Sequence, residues 1–171
     1  MLAQKTQEDV RERNRQIEEG VFRAINDPRE PLVPPSPEAV PPHLNFAPLD
    51  NAADALGHAA AEYKKAVEHA AAQGGAALAA SSLAEVNRLL IETERKLTTA
   101  EGLPNRPWFK HQLDAPGFYT GYAAKTMPAA REAIDQKQWK QAEEGIVVIA
   151  RVLEEEAALI STAAAKLAAA R

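Results

Sequence analysis

The side chains able to bind a metal or move a proton are few and scattered. Four histidines stand at positions 43, 58, 69 and 111, and cysteine is absent. A thiolate zinc site, a disulfide framework and a Cys nucleophile are therefore excluded. On a helix, His58, Glu62, Lys65 and His69 would share one face, at spacings of four, three and four. That face can be read as a metal site or as a solvated polar surface. It lies opposite Leu56, Ala60 and Tyr63, and the chain holds neither His-Glu-x-x-His nor Glu-x-x-His. The solvated face is the expectation. His43 has no identifiable partner.

Nucleophilic and phosphate-binding patterns are missing as well. Gly-x-Ser-x-Gly, Gly-x-Gly-x-x-Gly and the P-loop pattern do not occur, and Ser81-Ser82 reads as a helix cap. Glu154-Glu155-Glu156 reads as a surface run. The residues assign no catalytic and no metal-binding constellation. Lys plus Arg number 20 against 24 Asp plus Glu, a net charge of -4, without the basic stripe of a nucleic-acid binder. No apolar run reaches 18 residues, so no membrane span is expected, and the charged N-terminus carries no signal-peptide apolar region.

Composition and proline placement set the architecture. Alanine accounts for 36 of the 171 residues, while Leu, Ile, Val and Phe together number 35. Such a chain can pack helices closely. Eight of the 12 prolines lie between Pro28 and Pro48, and none falls in 49–103 or after 128. Proline breaks helix interiors, so the proline-free spans are where long helices fit.

A charged helix is expected over 5–25 on the stripe Val10, Ile17, Val21 and Ile25, stopped by Asn26-Asp27-Pro28. Residues 28–48 read as polyproline-like, either a free linker or a strap laid over the bundle by Leu32, Val33, Leu44 and Phe46; the strap is favoured. A helix follows over 49–73, with Asp50 as N-cap, ended by Gly74-Gly75. The next runs over 82–99 with Ser81 or Ser82 as cap and the stripe Leu83, Val86, Leu90, Thr93 and Leu97. Pro128 opens a short helix, 128–136. The longest helix is 138–170, where Trp139, Ile146, Leu153, Ile160 and Leu167 recur every seven. Val148, Val152 and Leu159 widen its apolar face. Either it meets something outside its own bundle or it sits at the bundle's centre.

These elements make an all-α chain. It is a bundle of about four main helices with a long aromatic, proline-rich loop, preceded by a charged N-terminal helix (1–27) and a proline-rich strap (28–48), with the bundle over 49–171. The loop, 101–127, holds three prolines and the aromatics Trp108, Phe109, Phe118, Tyr119 and Tyr122. A stretch this long inside a compact domain is often functional. Arg106, between two prolines, is expected to satisfy carbonyls or a buried carboxylate. Trp108 and Phe109 are expected to anchor the loop to the bundle, and His111 to be a hydrogen-bonded structural histidine.

The order Gly102-Leu103-Pro104-Asn105-Arg106-Pro107-Trp108-Phe109-Lys110-His111, then Ala115-Pro116, Tyr122-Ala123 and Pro128, resembles a known family. It is the C-terminal helical domain of the glutamate carboxypeptidase II and transferrin receptor group, the transferrin receptor-like dimerisation domain. The segment Leu44-Asn45-Phe46-Ala47-Pro48-Leu49 resembles its bacterial members. The resemblance implies a non-catalytic domain of a two-zinc exopeptidase, either excised or standing alone. Zinc would be held only by a preceding catalytic domain, and the parent would be exported, periplasmic or secreted. Implied partners are a two-fold mate and that upstream peptidase domain, for which the domain builds one wall of the substrate pocket.

In the glutamate-specific member a Lys-Tyr pair of this loop contacts the substrate's carboxylates. Tyr122 matches the Tyr, but Gly121 stands where the Lys would be, so a charge-assisted donor is missing. Lys110 or Lys125 would have to replace it. A homodimer is expected, with 138–170 or 83–97 at its centre and Ile146, Ile149, Val152, Leu153, Leu159 and Ile160 as interface candidates. The alternative is a stand-alone helical interaction module with no peptidase partner domain.

Overall fold

The computed structural model describes residues 2–25, 27, 29, 33–72, 79–121 and 123–170. Six helices and one small hairpin carry these residues: α1 (Leu2–Glu18), α2 (Val21–Ala24), α3 (Ala47–Ala72), α4 (Ala80–Lys96), β1 (Asp114–Pro116), β2 (Ala124–Thr126), α5 (Pro128–Asp135) and α6 (Trp139–Ala169). They form two compact units, Met1–Leu44 and Asn45–Arg171.

In the first unit the expected single helix 5–25 is broken. Gly20 adopts φ +75°, so α1 stops at Glu18 and a single turn, α2, follows. Val21 and Ile25 are consequently exposed, and the half-buried stripe of α1 ends at Ile17. The proline-rich stretch lies along α1. Asn14 Nδ2 donates to the Glu38 carbonyl at 2.7 Å, Glu38 N–H donates to Asn14 Oδ1 at 2.9 Å, and Gln7 Nε2 donates to the Pro41 carbonyl at 2.7 Å. Of the residues expected to strap the bundle, Val33 is 92 % exposed, whereas Leu44 is buried. Leu32 and the helix stop Gly74-Gly75 fall outside the described residues.

The second unit is built around α6, against which α3, α4 and α5 all pack. Alanine spacing explains how. On α3 the buried positions are Ala52, Ala59 and Ala66, and on α6 Ala150, Ala157 and Ala164 are buried with the same seven-residue period. Ala66 and Ala164 line one groove, and the C-terminal halves of α3 and α6 share a core cluster, so the two helices run parallel in heptad register. A methyl at each contact lets the axes approach to about 8 Å. α4 runs antiparallel to α6, as Lys166 Nζ reaches Glu85 Oε1 at 2.6 Å. Where α5 crosses α6, Gly145 admits the backbone: a Cβ there would lie 2.9 Å from Ala130 N and 3.1 Å from Ala130 Cα.

Helix starts differ from expectation. Asn45 Oδ1 accepts from Ala47 N–H at 3.1 Å, so α3 begins at Ala47 and Asp50 sits inside the first turn. Ala79 precedes α4 without a side-chain cap, and Ser81 and Ser82 lie within the helix. The width of α6's apolar face has its physical reason in the three helices packed on it. Ile146 and Ile149 are 0 % exposed, and Val152 and Leu153 are buried as well. As interface candidates these four are corrected: a single chain already covers them. Leu159 and Ile160 remain half-buried.

Candidate functional site: the 101–127 loop

The loop leaves α4 and returns along it. Thr99 N–H donates to the Lys110 carbonyl at 3.0 Å, and Gln112 N–H donates to the Leu97 carbonyl at 2.8 Å. Between these, Gly102 turns the chain at φ +70°, with the Pro107 carbonyl only 2.4 Å from where a Cβ would sit. Any side chain there meets rigid backbone, so the position needs glycine. Asn105 takes φ +60°, a conformation its short amide tolerates, and Arg106 N–H closes the turn on the Leu103 carbonyl at 3.1 Å. Leu103 N–H then donates to the Phe109 carbonyl at 2.8 Å.

This turn aims Arg106 inward, where it is 3 % exposed. Its Nη2 meets both carboxylate oxygens of Glu132 on α5, at 3.0 and 2.9 Å, and its Nη1 donates to the Pro116 carbonyl. Its Cζ lies 5.6 Å from the ring centroids of Phe109 and of Phe118. Glu132 also accepts Phe118 N–H at 2.8 Å. One arginine thus joins the turn, the hairpin and α5. Buried charge of this kind is stable only while paired.

Phe109 packs against Leu103, Ala115 and Ala129 and anchors the loop. Trp108 does not: it is 69 % exposed, a correction to its expected anchoring role. The physical reason is that Phe109 occupies the inward position of the pair, with Trp108 tilted against its outer side, ring centroids 6.3 Å apart. Phe118 and Tyr119 are also exposed, stacked edge-on at 4.9 Å, and Tyr119 Oη donates to Gln136 Oε1 at 3.3 Å.

His111 is held by hydrogen bonds at the loop's return. Its Nδ1 accepts Leu113 N–H at 3.3 Å and Asp114 N–H at 3.0 Å, so Nε2 faces outward, 3.2 Å from Glu94 Oε1. Behind it lies Glu156, half-buried on α6. Burial pushes the Glu156 carboxyl up, the Glu94 carboxylate adds to the rise, and His111 opposes it. Glu156 is therefore more than a surface member of its acidic run.

The lysines considered as replacements for the missing one are engaged elsewhere: Lys125 Nζ with Asp135 Oδ2 at 2.8 Å, and Lys110 Nζ with the Ala100 carbonyl. Tyr122 lies outside the described residues. His58, Glu62, Lys65 and His69 are exposed on α3. No group of three His, Asp or Glu is placed to hold a metal among the described residues. A cavity of about 20 Å³ between the loop and α5 has room for one water. The larger hollows, of about 410 and 490 Å³, are open grooves.

Sequence reasoning missed Glu132 and Gln112. Gln112 is 1 % exposed, and its Nε2 donates to Thr99 Oγ1 and to the Lys110 carbonyl, both at 2.9 Å. The available signal was the arginine itself, since an Arg fixed between two prolines demands a carboxylate, and Glu132 sits one helical turn after Pro128.

Comparison with known proteins agrees with this geometry. Residues 44–161, which contain the loop and most of the bundle, match the transferrin receptor-like dimerisation domain. A probable glutamate carboxypeptidase of Arabidopsis thaliana is 37 % identical over 70 residues, covering 41 % of this chain and 10 % of that protein. A probable glutamate carboxypeptidase of Arthroderma benhamiae is 38 % identical over 50 residues, covering 29 % of this chain and 7 % of that protein. The matched segments are thus a tenth or less of these relatives' lengths. With more than half of its residues in the match, the chain belongs to the transferrin receptor-like dimerisation domain family.

Proposed function

We propose that the chain is the non-catalytic dimerisation part of a glutamate carboxypeptidase-like zinc metallopeptidase. Its helices pair two copies, and its pinned loop offers one wall to a substrate pocket built by a separate catalytic domain. The observation that carries this reading is the loop. Arg106 and Glu132 hold it against α5, while Trp108 and Tyr119 stay exposed, 69 % and 71 %. A rigid loop that leaves large aromatics in water is suited to being covered by another surface.

The outer side of α4 and α6 supports pairing. Ile91 is 70 % exposed, and Leu159 and Ile160 on α6 remain half-buried. α4 and α6 are antiparallel neighbours, which places Ile91 near the level of Leu159. An isologous interface centred there is the geometry a two-fold dimer requires.

The functional test is an activity assay. The purified chain, supplied with zinc and peptides ending in glutamate, releases no amino acid. Measurable turnover dependent on this chain would overturn the non-catalytic reading.

A further inference from the structure

Most of a helix's stability in a protein comes from packing its apolar face, and α1, of 17 residues, has only a narrow apolar stripe to pack. Among its half-buried residues, Gln7, Val10, Asn14 and Ile17 follow one another at spacings of three, four and three, with Thr6 and Gln16 half-buried beside them. Within the first unit, the segment bonded along α1 is the proline-rich stretch, and both contacts are made by the two amides to backbone atoms.

The spacing fits a general geometric match. Gln7 and Asn14 are seven residues apart, about 10.5 Å along a helix. Their partners Pro41 and Glu38 are three residues apart, about 9.3 Å along a polyproline-II strand. Two turns of α-helix therefore span one turn of polyproline II, with the strand antiparallel to the helix. A polyproline-II backbone makes no internal hydrogen bonds, so its carbonyls are free to be read from outside. Pro41 is buried.

We infer that α1 is a polyproline-II-binding helix, its resident ligand the chain's own residues 38–41. Gln7 accepts any residue as its partner, since it reads a carbonyl. Asn14 uses both its donor and its acceptor on one residue, and so requires a non-proline there, because proline has no N–H. The fitting partner is an extended, proline-rich segment with a non-proline residue three positions before the carbonyl that Gln7 holds.

The test uses the full chain, ¹⁵N-labelled, with residues 36–42 replaced by a Gly-Ser repeat of equal length. The added probe is an unlabelled peptide of residues 33–44. It is expected to shift the backbone amide signals of α1 saturably, and at least tenfold less tightly when Gln7→Ala and Asn14→Ala are also present. No saturable shift below millimolar peptide, or equal binding to the double variant, overturns the inference. So does equal binding of a peptide whose prolines are all glycine. If the strap-replaced chain does not fold, the unaltered chain gives the answer. There the Glu38 amide should exchange with solvent at least tenfold more slowly than in an Asn14→Leu chain, and equal rates overturn the inference.

Discussion

Glu132 receives the Arg106 guanidinium on both carboxylate oxygens, at 3.0 and 2.9 Å, across 26 residues of sequence. The pair fixes a 27-residue loop to a helix of eight residues. Removing one partner leaves the other charged and buried, which costs about 3–5 kcal/mol. Glu132→Gln should therefore lower unfolding stability by about 3 kcal/mol in a denaturant titration. A change below about 1 kcal/mol would show that the pair does not hold the loop.

The neighbouring aromatics separate anchor from display. Phe109→Ala should cost about 2–3 kcal/mol through lost burial, whereas Trp108→Ala should change stability by less than about 0.5 kcal/mol. Thermal unfolding of the two variants checks this, and an equal loss from both would place Trp108 in the core.

Gly145 is the contact point of α5 and α6, where a Cβ would press on Ala130 N at 2.9 Å. Alanine gains about 1 kcal/mol of helix propensity over glycine, but forcing apart packed backbone costs about 1–3 kcal/mol and more where nothing can rotate away. Gly145→Ala should thus destabilise by about 1–2 kcal/mol. A more stable variant would mean that the two helices separate easily.

Glu156 and Glu85 bear on pH in opposite directions. The folded Glu156 carboxyl is raised by burial and by Glu94, so its ionised form costs stability above the ordinary carboxylate range. That cost disappears as pH falls and the carboxyl takes up its proton in the native state. Glu156→Gln should stabilise at pH 7 by roughly 0.5 kcal/mol, kept small by solvent screening, and the gain should vanish below about pH 4. Glu85 is lowered by its hydrogen bond to Lys166, so its contribution is present at neutral pH and lost in acid. A Glu156→Gln gain that persisted in acid would contradict this assignment.

Much of the bundle could be read from periodicity and breakers. The seven-residue recurrence from Trp139 to Leu167 marked α6, and Pro128 marked the start of α5, because both signals are local. The role of Arg106 was legible because two prolines fix its backbone. Its partner was not, since Glu132 looks like any solvated helical glutamate until the loop closes on it. Periodicity also shows that a face is apolar without showing what covers it. Ile146 and Ile149 therefore read as interface residues, although they are buried within a single chain. Gly20 ended α1 through a left-handed conformation that apolar spacing does not register.

Self-association through the outer side of α4 and α6 is tested most directly by sedimentation equilibrium of the purified chain and of Ile91→Glu. The unaltered chain, 18.5 kDa as a monomer, should sediment with twice that mass, and Ile91→Glu should shift it to the single-chain mass without loss of helical signal. A single-chain mass for the unaltered protein at every concentration, or a dimer indifferent to Ile91→Glu, would contradict the account.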